Sequence, residues 1–397
     1  MNSRPQHIVG AIAALIAAYC VHWLDMSFAG KVAPAIADSF GQPLQAMTYV
    51  FSGGRLGMAV GAVAGGFAGD RWGRKPVLCV CLSLAAILAL VTPAARVFWL
   101  FVTLRTLSGL MLGAAAPCAL ALVAGIAPAR WRPLAITATL AGASTGSALG
   151  SLMVYLLPGP ADWLLGIALC GVASVAAVLM VIGWVPHVHV PVATSRASVN
   201  QLWGPMRPTS LVLGIGFALT LGLSAIMVSW QPSYFNKLAD IPLQQFAGYI
   251  SITAPCGIAG MLTTGWLVSH VARGKLLFIC FGGHALALIC VGNLSAGSME
   301  FVIALAAAAW GHTACQALLN LTLVARYPDA IRATALGGAA AVGRISGVLS
   351  PAIGAAALSM AIALPQLFAL FALVPLCVGT LLWVLELRVS PAWRPRL

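Results

Sequence analysis

The chain has 397 residues, 61% of them hydrophobic and only 7% charged. So little polar surface cannot cover a water-soluble domain, which leaves a polytopic all-α membrane protein. The net charge of +13 is then a topology signal rather than a nucleic-acid signal. Outside the apolar spans every Lys and Arg except Arg96 and Lys237 falls on the side of the N-terminus, so the positive-inside rule puts both termini in the cytoplasm.

About twelve spans follow from hydropathy. The first, residues 9–34, is too long for a signal-peptide core. It carries Asp25, the acid placed deep in an apolar run. A charge there costs roughly 2.5–3.5 kcal/mol, so it faces protein or water and is a functional candidate. His22 lies one turn earlier on the same face, and the pair suggests proton handling. Lys31, near the outer end, is expected to snorkel to the interface.

The second span, 46–69, holds Arg55 about 13 Å deep at 1.5 Å per residue. On it Gly57, Gly61, Gly65 and Gly69 form a smooth ridge. Gly109 with Gly113 on the fourth span (98–127), and Gly142, Gly146 and Gly150 on the fifth (133–157), repeat the device. Such ridges serve close helix packing or sliding during a conformational change. Between the second and third (76–94) spans runs a loop with Gly66, Asp70, Arg71, Gly73, Arg74 and Lys75. Arg105 sits a little shallower than Arg55 on the fourth span, and the sixth covers 162–185.

A polar interval then divides the chain. Residues 1–186 form one six-helix bundle, 187–208 a cytoplasmic linker and 209–397 a second bundle. His187 and His189 in the linker read as a solvated loop. The second half runs through spans 210–236, 243–270, 275–294, 299–326, 333–359 and 362–386. Its segments 265–274 and 328–332 echo 66–75 and 128–132 at an offset of about 200 residues, as a tandem repeat requires. On the seventh span Trp230, Gln231 and Tyr234 make an aromatic and amide patch beside Pro232. On the tenth His312, Gln316 and Asn320 share one face. Arg344 lies deep in the eleventh.

Three deep arginines face one deep acid. Buried cations in excess imply a water-filled cavity or an arriving anion, and the Arg fork suits a carboxylate. Aromatic and amide stripes suit a small planar organic acid; equally, they could hold the bundle together. The arginines could likewise bind helix-end carbonyls. No catalytic constellation, phosphate loop or metal spacing appears, and the ten cysteines are scattered. The chain therefore reads as no enzyme, with no cofactor and no metal. An ion gradient would drive it, with Asp25 as proton carrier.

The loop Gly66-x-x-x-Asp70-Arg71-x-Gly73-Arg74-Lys75 resembles the signature loop of the major facilitator superfamily, and Arg105-x-x-x-Gly109 its fourth-helix motif. More narrowly, 105–117, Ser229-Trp-Gln-Pro232, 327–334, 343–347 and Pro351 resemble the aromatic acid:proton symporters. In that family the first helix carries Asp-Gly-Tyr-Asp; here His22-Trp-Leu-Asp25 stands in its place. The resemblance implies twelve helices in two six-helix pseudo-repeat bundles. It also implies uptake of benzoate-like anions with protons across a bacterial inner membrane, through helices one, four, seven and ten. In this reading Asp25 and His22 couple the proton. Arg55, Arg105, Arg344, Trp230, Gln231, Tyr234, His312, Gln316 and Asn320 meet the substrate, and the 66–75 loop gates it. The partners are then a small organic anion, protons and lipid, with no nucleic acid, and a monomer is expected. Efflux of drugs or metabolites by proton antiport is the competing reading. A membrane sensor that binds the acid without moving it is a second.

Overall fold

The computed structural model describes residues 5–128, 130–157, 159, 162–186, 206–268, 270–327, 329–360 and 362–387. Most of the expected linker, with His187 and His189, lies outside them. The described residues are overwhelmingly helical: α1 (Pro5–Lys31), α2 (Ala33–Ser39), α3 (Met47–Trp72), α4 (Arg74–Val91), α5 (Phe98–Ile126), α6 (Arg132–Leu156) and α7 (Trp163–Trp184) come first. They are followed by α8 (Arg207–Leu238), α9 (Leu243–Leu267), α10 (Arg273–Leu277), α11 (Gly283–Asn293), α12 (Met299–Arg326), α13 (Asp329–Ser359) and α14 (Leu364–Leu387).

Among the described residues, 11 helical segments are long and apolar enough to cross a membrane. The 25-residue α6 is long enough too, but Gly, Ser and Thr dilute its apolar character. With it the described residues hold twelve helices of membrane-crossing length, the number of the expected fold. Two details differ from the sequence reading. The first span breaks after Lys31, because Pro34 has no N–H to continue the ladder and sits in the first turn of α2 instead. The ninth span is interrupted by a π-helical turn, Phe278–Gly282, joining α10 to α11.

Contacts group the chain into two compact units. One comprises Met1–Ala193, Val228–Ser251 and Pro351–Ser359; the other comprises Thr194–Met227, Ile252–Ser350 and Met360–Leu397. Within the first, α1 packs on α5, α6 and α7, and α3 packs on α5. Lipid tails supply no hydrophobic drive between helices, so close backbone contact must replace it. Glycine provides that contact. A Cβ on Gly57, Gly61 or Gly65 would stand 2.2, 2.0 or 2.3 Å from the carbonyl oxygens of Thr106, Leu110 and Ala114 on α5. In return, Gly109 and Gly113 lie against Gly54 and Met58 of α3. Gly146 does the same for α6 against Cys20 of α1. The second unit has its own core, where Phe217, Phe281, Leu318, Leu319 and Leu382 are buried together.

Candidate functional site

The closeness of α3 and α5 sets the site. With no Cβ at Gly54 or Gly109, the two backbones touch, and the cations one residue after Gly54 and four before Gly109 line the same pocket. It is open on one side and is lined by residues of α1, α3, α5 and α8. Its apolar wall is Trp23, Met26, Val50, Phe51 and Met58; its polar groups are Arg55, Arg105 and Ser229. Two of the lining residues are cationic and none is acidic.

Asp25 stands behind this wall, 2% exposed. Arg105 grips it with both arms: Nη1 donates to Oδ1 at 3.1 Å, and Nη2 to Oδ2 at 2.5 Å. Nη2 also reaches the Asp25 carbonyl at 3.3 Å, and the Ser108 hydroxyl donates to Oδ2 at 3.1 Å. The fork that the sequence reading offers to a substrate is therefore already holding a carboxylate, that of the chain itself. Arg55 donates from Nη1 to the Ser229 hydroxyl at 2.8 Å, joining α3 to α8. His22 is buried and stacks on Tyr19, with ring planes 10° apart.

Other predicted residues lie elsewhere. Trp230 and Tyr234 are fully buried and donate to the carbonyls of Pro351 and Gly354, each at 3.0 Å. They staple α8 to α13. Trp230 still supports the pocket indirectly, because its ring meets Phe51 edge-on at 5.3 Å. Gln231 is half-buried beside them. His312, Gln316 and Asn320 belong to the second unit. There Asn320 donates to the Gln316 carbonyl at 2.9 Å, and the His312 ring lies 5.8 Å from that of His284. Arg344 is exposed on α13 in the same unit.

The segment expected as a loop, 66–75, is helical except at Gly73: it closes α3 and opens α4. Gly73 adopts φ +93° between α3 and α4, a conformation open in practice to glycine alone. Across it Arg74 pairs with Asp70 at 3.1 Å. Lys75 turns inward and donates to the Ile182 carbonyl at the end of α7, at 3.1 Å, where a cation suits the helix dipole. Arg71 lies over the Trp72 ring. Gly66 has nothing within 4 Å of a built Cβ, so packing does not require it.

Sequence reasoning passed over Ser108, Ser229, Trp23 and Phe51. Ser108 stands one turn after Arg105, and Ser229 begins the stretch that carries the family resemblance, so both were within reach. Lys31 does not snorkel: it is 5% exposed and folded inward.

Membrane-crossing helices around a cation-lined pocket describe a carrier of small anions more readily than an enzyme. The chain belongs to the Major Facilitator Superfamily, whose family model matches residues 15–351, and it is an integral membrane transporter. It is 28% identical over 383 residues to a gallate transporter of Pseudomonas putida, covering 88% of this chain and 85% of that one. It is 27% identical over 340 residues to a 3-(3-hydroxy-phenyl)propionate transporter of Escherichia coli K12, covering 85% and 84%. Among solved structures, a bacterial homologue of the human lysosomal transporter Spinster superposes with a TM-score of 0.80 at 17% identity, covering 98% of this chain and all of that one. That likeness establishes the shared fold.

Proposed function

We propose that the protein takes up a small aromatic monocarboxylate together with a proton. The observation that carries this reading is the pocket of the first unit, lined by two guanidinium groups, no acid, and the rings of Trp23 and Phe51. Relatives that carry gallate and 3-(3-hydroxy-phenyl)propionate supply the chemical class.

Asp25 gives the proton a task. While ionised it occupies the Arg105 fork. Once protonated it releases one charge-assisted partner, and Arg105, which also lines the pocket, turns to the substrate carboxylate beside Arg55. The proton and the anion therefore load together. Rocking of two six-helix halves, residues 1–186 and 209–397, would carry both across a bacterial inner membrane with the termini in the cytoplasm. The charged α3–α4 junction, residues 66–75, would brace the cytoplasmic side of that movement.

The test is transport in vesicles of known orientation, with gallate and 4-hydroxybenzoate as probes. Accumulation driven by an inward proton gradient supports the reading. Extrusion in the same vesicles would mean antiport, and no movement of either acid would refute it.

A further inference from the structure

On α1, six residues beyond Asp25, lies a second buried charge that the pairing just described does not use. The Lys31 ammonium is 5% exposed. It donates to the Ser27 carbonyl at 3.3 Å and to the Ser147 hydroxyl of α6 at 3.2 Å. Both acceptors are neutral, and no acid lies within 4 Å of it among the described residues. Gly150 of α6 lies beside the ammonium, a built Cβ there standing at an ordinary contact distance of 3.6 Å from Nζ.

Around Lys31, its own helix brings His22 and Asp25, and α5 brings Arg105. From α6 comes the neutral Ser147 hydroxyl. From α7 comes the fully buried Cys170 thiol. Asp25 is satisfied by Arg105 and Ser108 and does not serve as the counter-ion of Lys31.

An ammonium buried without an acid is costly, by several kcal/mol per ion even after relaxation. A guanidinium would have to bear that cost, because it does not lose its proton in a protein; an amine can shed it. The same two contacts serve both forms. With the amine neutral, its remaining N–H groups donate and its lone pair is open to a proton.

We propose that Lys31 is a second proton-carrying residue of the transport cycle, alternating between amine and ammonium as its surroundings open and close. The step is a proton transfer only: the Nζ lone pair takes a proton from water on one side and returns it to water on the other. This rests on the reading of the chain as a proton-coupled carrier of aromatic acids.

The experiment compares wild type, Lys31→Met and Lys31→Arg in proteoliposomes with the membrane potential clamped at zero and 4-hydroxybenzoate as the probe. Counterflow, which needs no net proton movement, is measured beside accumulation under a gradient of about one pH unit. Losing one proton per cycle lowers the accumulation ratio about tenfold at that gradient, while counterflow continues. Methionine is uncharged and arginine keeps its charge, so the same tenfold loss in both variants marks a titrating role. Unchanged accumulation in either variant overturns the proposal. So does loss of counterflow in both, which would mark a packing role. Wild-type protein that shows no counterflow would instead overturn the underlying transport reading.

Discussion

Asp25 and Arg105 form a two-pronged ion pair inside the first unit, at 3.1 and 2.5 Å, with both side chains almost fully shielded. Removing one member strands the other charge, which costs about 3–5 kcal/mol in comparable buried pairs. Asp25→Ala and Arg105→Ala should therefore each lower the melting temperature of the detergent-solubilised protein. The double variant should lose less than the sum of the two, because partners in contact do not add. Additive losses would show that the pair contributes little.

Asp25→Asn keeps the shape but cannot ionise. With no carboxylate to regain, Arg105 has no reason to release the substrate in step with a proton. Accumulation of gallate or 4-hydroxybenzoate under an inward proton gradient should disappear. If it persists, Asp25 is not a coupling residue.

The membrane class and the helix count were legible because apolar length leaves few alternatives, and the glycine ridges because period-four spacing places them on one face. The depth of Asp25, Arg55 and Arg105 could also be read, since helical rise converts position into distance. Their pairing could not: nothing in the spacing says that Arg105 reaches Asp25 across 80 positions while Arg55 reaches Ser229. Trp230 and Tyr234 look like ring-binding groups in sequence, yet their polar atoms are bonded to α13. Lys31 was misplaced for a similar reason. Nearness to a helix end suggests snorkelling, but the Ser27 carbonyl and the Ser147 hydroxyl hold it inward.

Gly61→Leu should separate α3 from α5, since even a Cβ would press on the Leu110 carbonyl. Overpacking of this kind costs roughly 1–3 kcal/mol or more, read as a lower melting temperature. Gly66→Ala, with open space around it, should leave the melting temperature unchanged and serves as the control.

The turn between α3 and α4 should be equally selective. Gly73→Ala forces a side chain into the φ +93° conformation and should cost about 1–3 kcal/mol. Lys75→Met removes the donor to Ile182 at the end of α7 and should cost about 1 kcal/mol. Thermal unfolding of both variants, with Arg71→Met as an exposed comparison, would reveal the order.

Binding to the purified protein tests the cation-lined pocket most directly. Calorimetry of benzoate-type acids and their uncharged amides would be run on wild type and Arg55→Met. The acids should bind and the amides should not. Loss of a charge-assisted contact of about 1.5–3 kcal/mol should weaken acid binding in Arg55→Met by roughly ten- to a hundredfold. Equal binding of acids and amides, or of acids to both proteins, would contradict an anion site at Arg55.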